Sequence, residues 1–194
     1  MSETPSSHAR LQETMSHVMT RFRVPLMLLA GFVVIAFIHE PKAILYGTPV
    51  ALFGELVQMW AASHLKKQQH LAVSGPYSYV RNPMYIGRFF LGLGFLMMTW
   101  RIELVVIYVL AFAYYAHFRV KGEEERLHEI FKDYADYCAE INRWIPKLKP
   151  YSRAEKRKAS WHQLCVNHEQ LNLIGLIVVV AAVYVRAEQI PWHW

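Results

Sequence analysis

The sequence predicts an all-α protein: a multi-pass integral membrane bundle of about five transmembrane helices, with a cytoplasmic cofactor pocket formed by a loop and an amphipathic helix. Three observations lead there. Hydrophobic residues make up 54% of the 194 residues and charged residues 19%, and the mean hydropathy is +0.13. The apolar residues come in five nearly uncharged blocks. The basic residues between the blocks alternate, rich then poor, as they do across a membrane. This composition excludes a disordered chain, a disulfide scaffold and a collagen-like fibre. Cys138 and Cys165 are too few for a disulfide framework, and their spacing to any His gives no metal site, so no metal is expected.

The first 20 residues are polar and no cleavage pattern follows them, so the block at 24–38, free of charge, reads as a retained first span. Among charged residues and histidines, block 47–65 carries Glu55 and His64; block 84–100 carries Arg88 near its start; block 104–118 carries only His117; block 171–185 carries none. A spanning helix needs roughly 20 mainly apolar residues, and the blocks reach that length with their flanks. They are apolar all round, where a soluble helix would show one stripe. The pair flanking Arg101 is short and also reads as a tight helical hairpin. The ionisable Glu55 inside a span is a functional candidate by default; a structural role near the end of the helix or inside the bundle is the preferred reading.

The net charge of +6 is placed by the loops. Arg10, Arg21 and Arg23 precede the first span, Lys66, Lys67 and Arg81 precede the third, and Arg119 opens a long basic stretch after the fourth. The basic side is cytoplasmic, which sets the amino terminus inside and the carboxyl terminus outside. Trp144 and Trp161 then mark the inner interface, and Trp100, Trp192 and Trp194 the outer one. The charge is explained without nucleic acid. One domain covers 1–194, with core motifs at 50–146, a basic linker at 147–165 and an extra carboxyl-terminal transmembrane helix at 166–187. Residues 123–137 place Leu127, Ile130, Phe131 and Tyr134 at helical spacing and read as an amphipathic helix over the membrane face.

Two stretches carry chemistry. In Ser74-Gly75-Pro76-Tyr77-Ser78-Tyr79-Val80-Arg81-Asn82-Pro83-Met84-Tyr85-Ile86-Gly87, the Ser-Gly-Pro makes a turn and Asn82-Pro83 starts a helix, Asn as cap and Pro in the first position. A helix start offers free N–H groups and partial positive charge to a carboxylate or phosphate. Tyr77, Tyr79 and Tyr85 add aromatic surface for a flat heterocycle. A plain loop entering a helix, with tyrosines in an aromatic belt, accounts for the same residues. In the second stretch Arg119 and Glu123 stand four apart and share a helix face, either as an ion pair or as holders of an anionic substrate and an amine-bearing cofactor.

Together the stretches resemble the isoprenylcysteine carboxyl methyltransferases and the wider group of membrane methyltransferases that includes phospholipid N-methyltransferases. The first run is Leu71-Ala72-Val73-Ser74-Gly75 through Asn82-Pro83-Met84-Tyr85-Ile86-Gly87; the second is Glu123-Glu124-Glu125-Arg126-Leu127 with Phe131, Tyr134, Tyr137 and Pro146. Asn82 stands where the family commonly has His, and Lys132 where it has Gly. The resemblance implies S-adenosylmethionine as cofactor, S-adenosylhomocysteine as its product, and Gln69, His70, Leu71, Ala72, Tyr77, Asn82, Pro83, Met84, Tyr85 and Glu123 as cofactor-binding residues. It implies Arg119 as the catalytic residue that holds the substrate. The expected reaction is methylation of the carboxylate of an isoprenylcysteine-type, lipid-modified substrate entering from the bilayer. Alternatives are methylation of a phospholipid or other lipid amine, with Glu123 or Glu124 as the base and Arg119 unhelpful beside a cationic amine, a sterol-reductase-like enzyme using a nicotinamide cofactor, and a non-enzymatic scaffold. The sequence leaves the natural substrate and the oligomeric state open.

Overall fold

The computed structural model describes residues 35–65, 70–167 and 169–189. Contacts divide the chain into two units, Met1–Phe37 and Ile38–Trp194. Of the first unit only 35–37 are described, the end of a helix and a turn. The span expected at 24–38 therefore lies almost wholly outside the described residues, as do Trp192 and Trp194.

The regular elements among the described residues of the second unit are all helical. The helices are α1 (Pro41–His64), α2 (Pro83–Met97), α3 (Ile102–Ile130), α4 (Tyr134–Glu140), α5 (Trp161–Val166) and α6 (Glu169–Gln189), with a 3-10 turn at Gly75–Ser78. Ile102–Ile130 and Glu169–Glu188 are long and apolar enough to cross a membrane; Pro83–Met97 is apolar but shorter. The block at 47–65 is helical as expected, but α1 is not among the helices that pass on length and composition.

Helices α1 and α2 approach to backbone contact because small residues line their seam. A Cβ on Gly87 would stand 2.5 Å from Gln58 Cγ and 2.7 Å from the Gly54 carbonyl oxygen, and one on Gly54 would stand 2.6 Å from the Gly87 carbonyl oxygen. A Cβ on Gly94 would meet Ala51 Cβ at 2.7 Å. Such a stripe lets helices meet without large side chains between them. Pro49 sits inside α1 and cannot donate to the preceding turn, while Thr48 Oγ1 donates to the Ile44 carbonyl at 2.6 Å.

A tight link joins α2 to α3, as the hairpin reading expected. Trp100 takes a left-handed backbone, φ 57°, and Thr99 Oγ1 donates to the Leu96 carbonyl at 2.7 Å. Further along, Tyr108 of α3 donates to the Phe89 carbonyl at 3.1 Å, and its ring stacks on Phe89 at 5.9 Å between centroids. The carboxyl-terminal carbonyls of α1, which a helix leaves without partners, are met from α5: Asn167 Nδ2 donates to Ala62 at 2.9 Å and to Leu65 at 3.3 Å.

One expectation is corrected. Residues 123–137 do not form a separate amphipathic helix: α3 runs unbroken from Ile102 to Ile130. Nothing between Phe118 and Glu123 breaks it, since Gly122 is tolerated inside a helix with no neighbour within 4 Å. The break falls at Phe131, in extended backbone with φ −118°, and α4 restarts after Asp133. The basic linker at 147–165 likewise ends in a short helix, α5.

The seam gives a direct test. Gly87→Ala should lower the stability of the detergent-solubilised protein by about 1–3 kcal/mol, the usual cost of overpacking. Gly122→Ala, in open space, should raise it by roughly 0.5–1 kcal/mol. Thermal unfolding of both variants checks the contrast.

Candidate functional site

The motif loop is pinned before it reaches α2. Gly75 has a left-handed φ of 56°, and a Cβ there would stand 2.6 Å from His64 Cδ2. The His64 ring is fixed in turn, its Nδ1 lying 3.0 Å from both Ser63 Oγ and the Trp60 carbonyl. Ser78 Oγ donates to the Gly75 carbonyl at 2.7 Å, and the Tyr137 hydroxyl donates to the Tyr77 carbonyl at 2.6 Å. Tyr77 is buried, and burial pushes its phenol well above the ordinary tyrosine range, with Tyr137 and Glu123 adding to the shift. Its hydroxyl therefore keeps its proton.

Helix α2 starts at Pro83, with Asn82 in the cap position as the sequence predicts. The Asn82 side chain does not cap, however. It reaches across instead, Nδ2 donating to the Arg143 carbonyl at 3.3 Å and to Glu124 Oε1 at 3.4 Å. Glu124 is the centre of the arrangement. Only 6% exposed, it accepts two hydrogen bonds from Arg143, from Nε at 3.2 Å and from Nη2, and it faces Arg81 Nη2 at 3.6 Å. The carboxylate holds the Arg143 guanidinium above its usual pKa, chiefly through these hydrogen bonds. Arg81 Nε is buried without a partner among the described residues.

Next to this knot, Tyr85 is 6% exposed and donates to Glu123 Oε2 at 3.0 Å. Its ring meets Trp144 edge-on at 6.3 Å, and the Arg88 guanidinium lies 5.3 Å from its centroid. Of the expected site residues, Asn82, Pro83, Tyr85 and Glu123 are thus gathered at one junction, with Met84 half-buried in the first turn of α2 and Tyr77 buried in the loop that leads into it.

The others lie elsewhere. Gln69 is outside the described residues. His70 and Leu71 line a cavity of about 430 Å³ together with Phe131, Lys132, Tyr151 and Arg153. Ala72, half-buried, precedes Val73, which packs into the core of Tyr134, Tyr137, Ile141 and Tyr151. Arg119 is exposed and forms no ion pair with any described residue, so the Arg119–Glu123 pair that their spacing allowed is not made. Among the described residues no three His, Cys, Asp or Glu gather as a metal site.

Sequence reasoning named Glu124 only as an alternative base for a lipid amine, gave Arg81 no role in the site and missed Arg143. The signal for Glu124 was present: Ala116, Val120 and Glu124 follow at intervals of four, and all three are buried. Glu123, one residue earlier, is thereby turned outward. Nothing in spacing marks Arg143, which reaches Glu124 through the chain's return after α4.

Known proteins can be compared on this geometry. The sequence profile of the phospholipid methyltransferase family matches residues 24–134, which include the first motif, the second as far as Tyr134, and all of α3. The chain belongs to that family. The isoprenylcysteine carboxyl methyltransferases are related to it. Two curated relatives are similar. The nickel-cobalt-cadmium resistance protein NccN of Alcaligenes xylosoxydans xylosoxydans is 30% identical over 145 residues, which are 71% of this chain and 64% of that protein. The cobalt-zinc-cadmium resistance protein CzcN of Cupriavidus metallidurans is 26% identical over 196 residues, 91% of this chain and 88% of that protein. No solved structure matches. The family match supports a membrane methyltransferase, and it ends at Tyr134, so Arg143 and α6 lie beyond it.

The two glutamates should separate cleanly. Glu124→Gln breaks a mostly buried pair and should cost about 3 kcal/mol of stability. Glu123→Gln, exposed and held by one hydroxyl, should cost about 1 kcal/mol. Denaturant unfolding of the two variants side by side measures the difference.

Proposed function

We propose that the chain is an S-adenosylmethionine-dependent methyltransferase acting on a lipid-like acceptor at the cytoplasmic face of a membrane that it crosses with about five helices, α2 and α3 forming a hairpin. The carrying observation is the junction itself: the start of α2 meets the Glu123-Glu124 turn of α3 through Tyr85 and Asn82. The residues there fit the cofactor. Glu123 offers a carboxylate to its amino group, the start of α2 offers the partial positive charge of its dipole to its carboxylate although the Tyr85 and Ile86 N–H groups already donate to the Asn82 carbonyl, and Tyr85 and Trp144 offer ring surface to its adenine. When bound, S-adenosylmethionine supplies a methyl group on a sulfonium.

The acceptor proposed first is a prenylcysteine-type carboxylate. It is ionised at neutral pH and needs no base. Arg119 lies one turn before Glu123 with its guanidinium free of ion pairs among the described residues, and a planar fork can hold both oxygens of a carboxylate. Alignment and exclusion of water then carry the rate, worth about 7–11 kcal/mol when reacting groups are well oriented. With both relatives bacterial, the plasma membrane is the place proposed.

One observation favours a second acceptor, a lipid amine. Glu55 is fully buried in α1, with Oε2 taking one hydrogen bond from Gln58 at 3.4 Å and Oε1 taking none among the described residues. Glu169 of α6 is buried too. A buried carboxylate with one oxygen unmet among the described residues suits an ammonium group and its departing proton.

The test offers labelled S-adenosylmethionine to purified protein with a prenylcysteine analogue and, separately, with amine-bearing lipids. Transfer to the carboxylate is expected, abolished in Arg119→Ala while cofactor binding largely survives. Glu123→Gln should weaken cofactor binding by about tenfold, the loss of one charged hydrogen bond. Transfer to amine lipids alone, lost in Glu55→Gln and kept in Arg119→Ala, would install the second reading. No cofactor binding in calorimetry would overturn both.

A further inference from the structure

The return arm after α4 lies along the cytoplasmic ends of α1 and α2. Four backbone hydrogen bonds fix it there. Arg81 N–H donates to the Asn142 carbonyl at 3.0 Å, Lys147 N–H to Tyr79 at 2.9 Å, Tyr151 N–H to Ser78 at 2.8 Å and Ser160 N–H to Ser63 at 3.2 Å. A segment so pinned should present polar side chains outward. This one presents apolar ones: Leu148 is 100% exposed, Ile145 72% and Trp161 69%.

Charge on the arm is equally unbalanced. Three acids on it or beside it are already engaged. Asp136 pairs with Arg153 at 3.1 Å, Glu155 with Arg157 at 2.8 Å, and Glu140 accepts from the amide and hydroxyl of Ser152 at 2.6 Å each. Lys147, Lys149, Lys156 and Lys158 are exposed and form no ion pair with the described residues. Four uncancelled cations interleaved with exposed Ile, Leu and Trp are the composition of a segment that lies in a lipid headgroup layer.

We infer that residues 144–161 form an interfacial arm that seats on anionic phospholipid, with Leu148, Ile145 and Trp161 entering the headgroup boundary and the four lysines meeting lipid phosphates. The inference rests on the membrane orientation proposed above, not on the methyl transfer. Because the arm is laced to Ser78, Tyr79 and Arg81, lipid that orders it also steadies the loop leading into α2.

The test places an environment-sensitive fluorophore at Leu148→Cys, with Cys138→Ala and Cys165→Ser, in bilayers of phosphatidylcholine with and without about 30% phosphatidylglycerol. The anionic bilayer should shift the emission to the blue and reduce quenching by aqueous iodide roughly threefold or more, since each lysine adds attraction near a negative surface. Replacing the four lysines with Gln should erase that difference. Hydrogen exchange of 144–161 in the wild-type chain, in the same two bilayers, gives an independent reading that needs no substitution: slower exchange with phosphatidylglycerol is expected. Equal exposure and equal exchange in the two bilayers, or a four-lysine variant that responds like the wild type, would overturn the inference. Neither readout depends on methyl transfer.

Discussion

One buried carboxylate holds the site together. Glu124 joins three segments far apart in the chain: the motif loop through Arg81 and Asn82, the return arm through Arg143, and α3, on which it sits. A buried carboxylate without partners would be costly, and the fold meets that demand with two guanidiniums and an amide. The consequence is geometric. The Asn82 side chain is drawn toward Glu124 instead of capping α2, while its carbonyl accepts from the Tyr85 and Ile86 N–H groups, and the start of α2 is held beside Trp144 and Glu123 through Tyr85. Structural duty falls on Glu124 and leaves its neighbour Glu123 on the exposed side, bonded among the described residues to Tyr85.

The rest of the unit sets where this knot can form. Glycines on α1 and α2 bring those helices to backbone contact, which fixes the end of α1 beside the motif loop, with the His64 ring against Gly75. The Tyr134–Tyr137–Tyr151 core then ties α4 and the return arm to Val73 in the same loop. Site and core are therefore one construction, in which the loop is clamped from His64 on one side and from Glu124 on the other.

Much of this was legible in the sequence. The helical class, the start of α2 at Pro83 and the tight link at Arg101 follow from apolar blocks and from Asn-Pro chemistry. The family follows from the two motifs. What was not legible depended on distance along the chain. Spacing of four suggested an Arg119–Glu123 pair, yet the stripe of Ala116, Val120 and Glu124 turns the helix so that Glu124 faces inward and Arg119 outward. Asn82 reads as a cap because local rules know nothing of a carboxylate 42 residues away. The amphipathic reading of 123–137 joined two helices across a break at Phe131, since periodicity persists where the backbone does not.

The claim that Glu124 binds loop and arm into one unit is most directly tested by residue-resolved hydrogen exchange on wild type and Glu124→Gln. If Glu124 is the shared anchor, the amides of Tyr79 and Arg81 in the loop and of Lys147 and Tyr151 in the arm lose protection together, while the α1–α2 seam around Gly54 and Gly87 keeps its own. Protection unchanged at these four amides, or lost in the arm alone with the loop intact, would contradict the account.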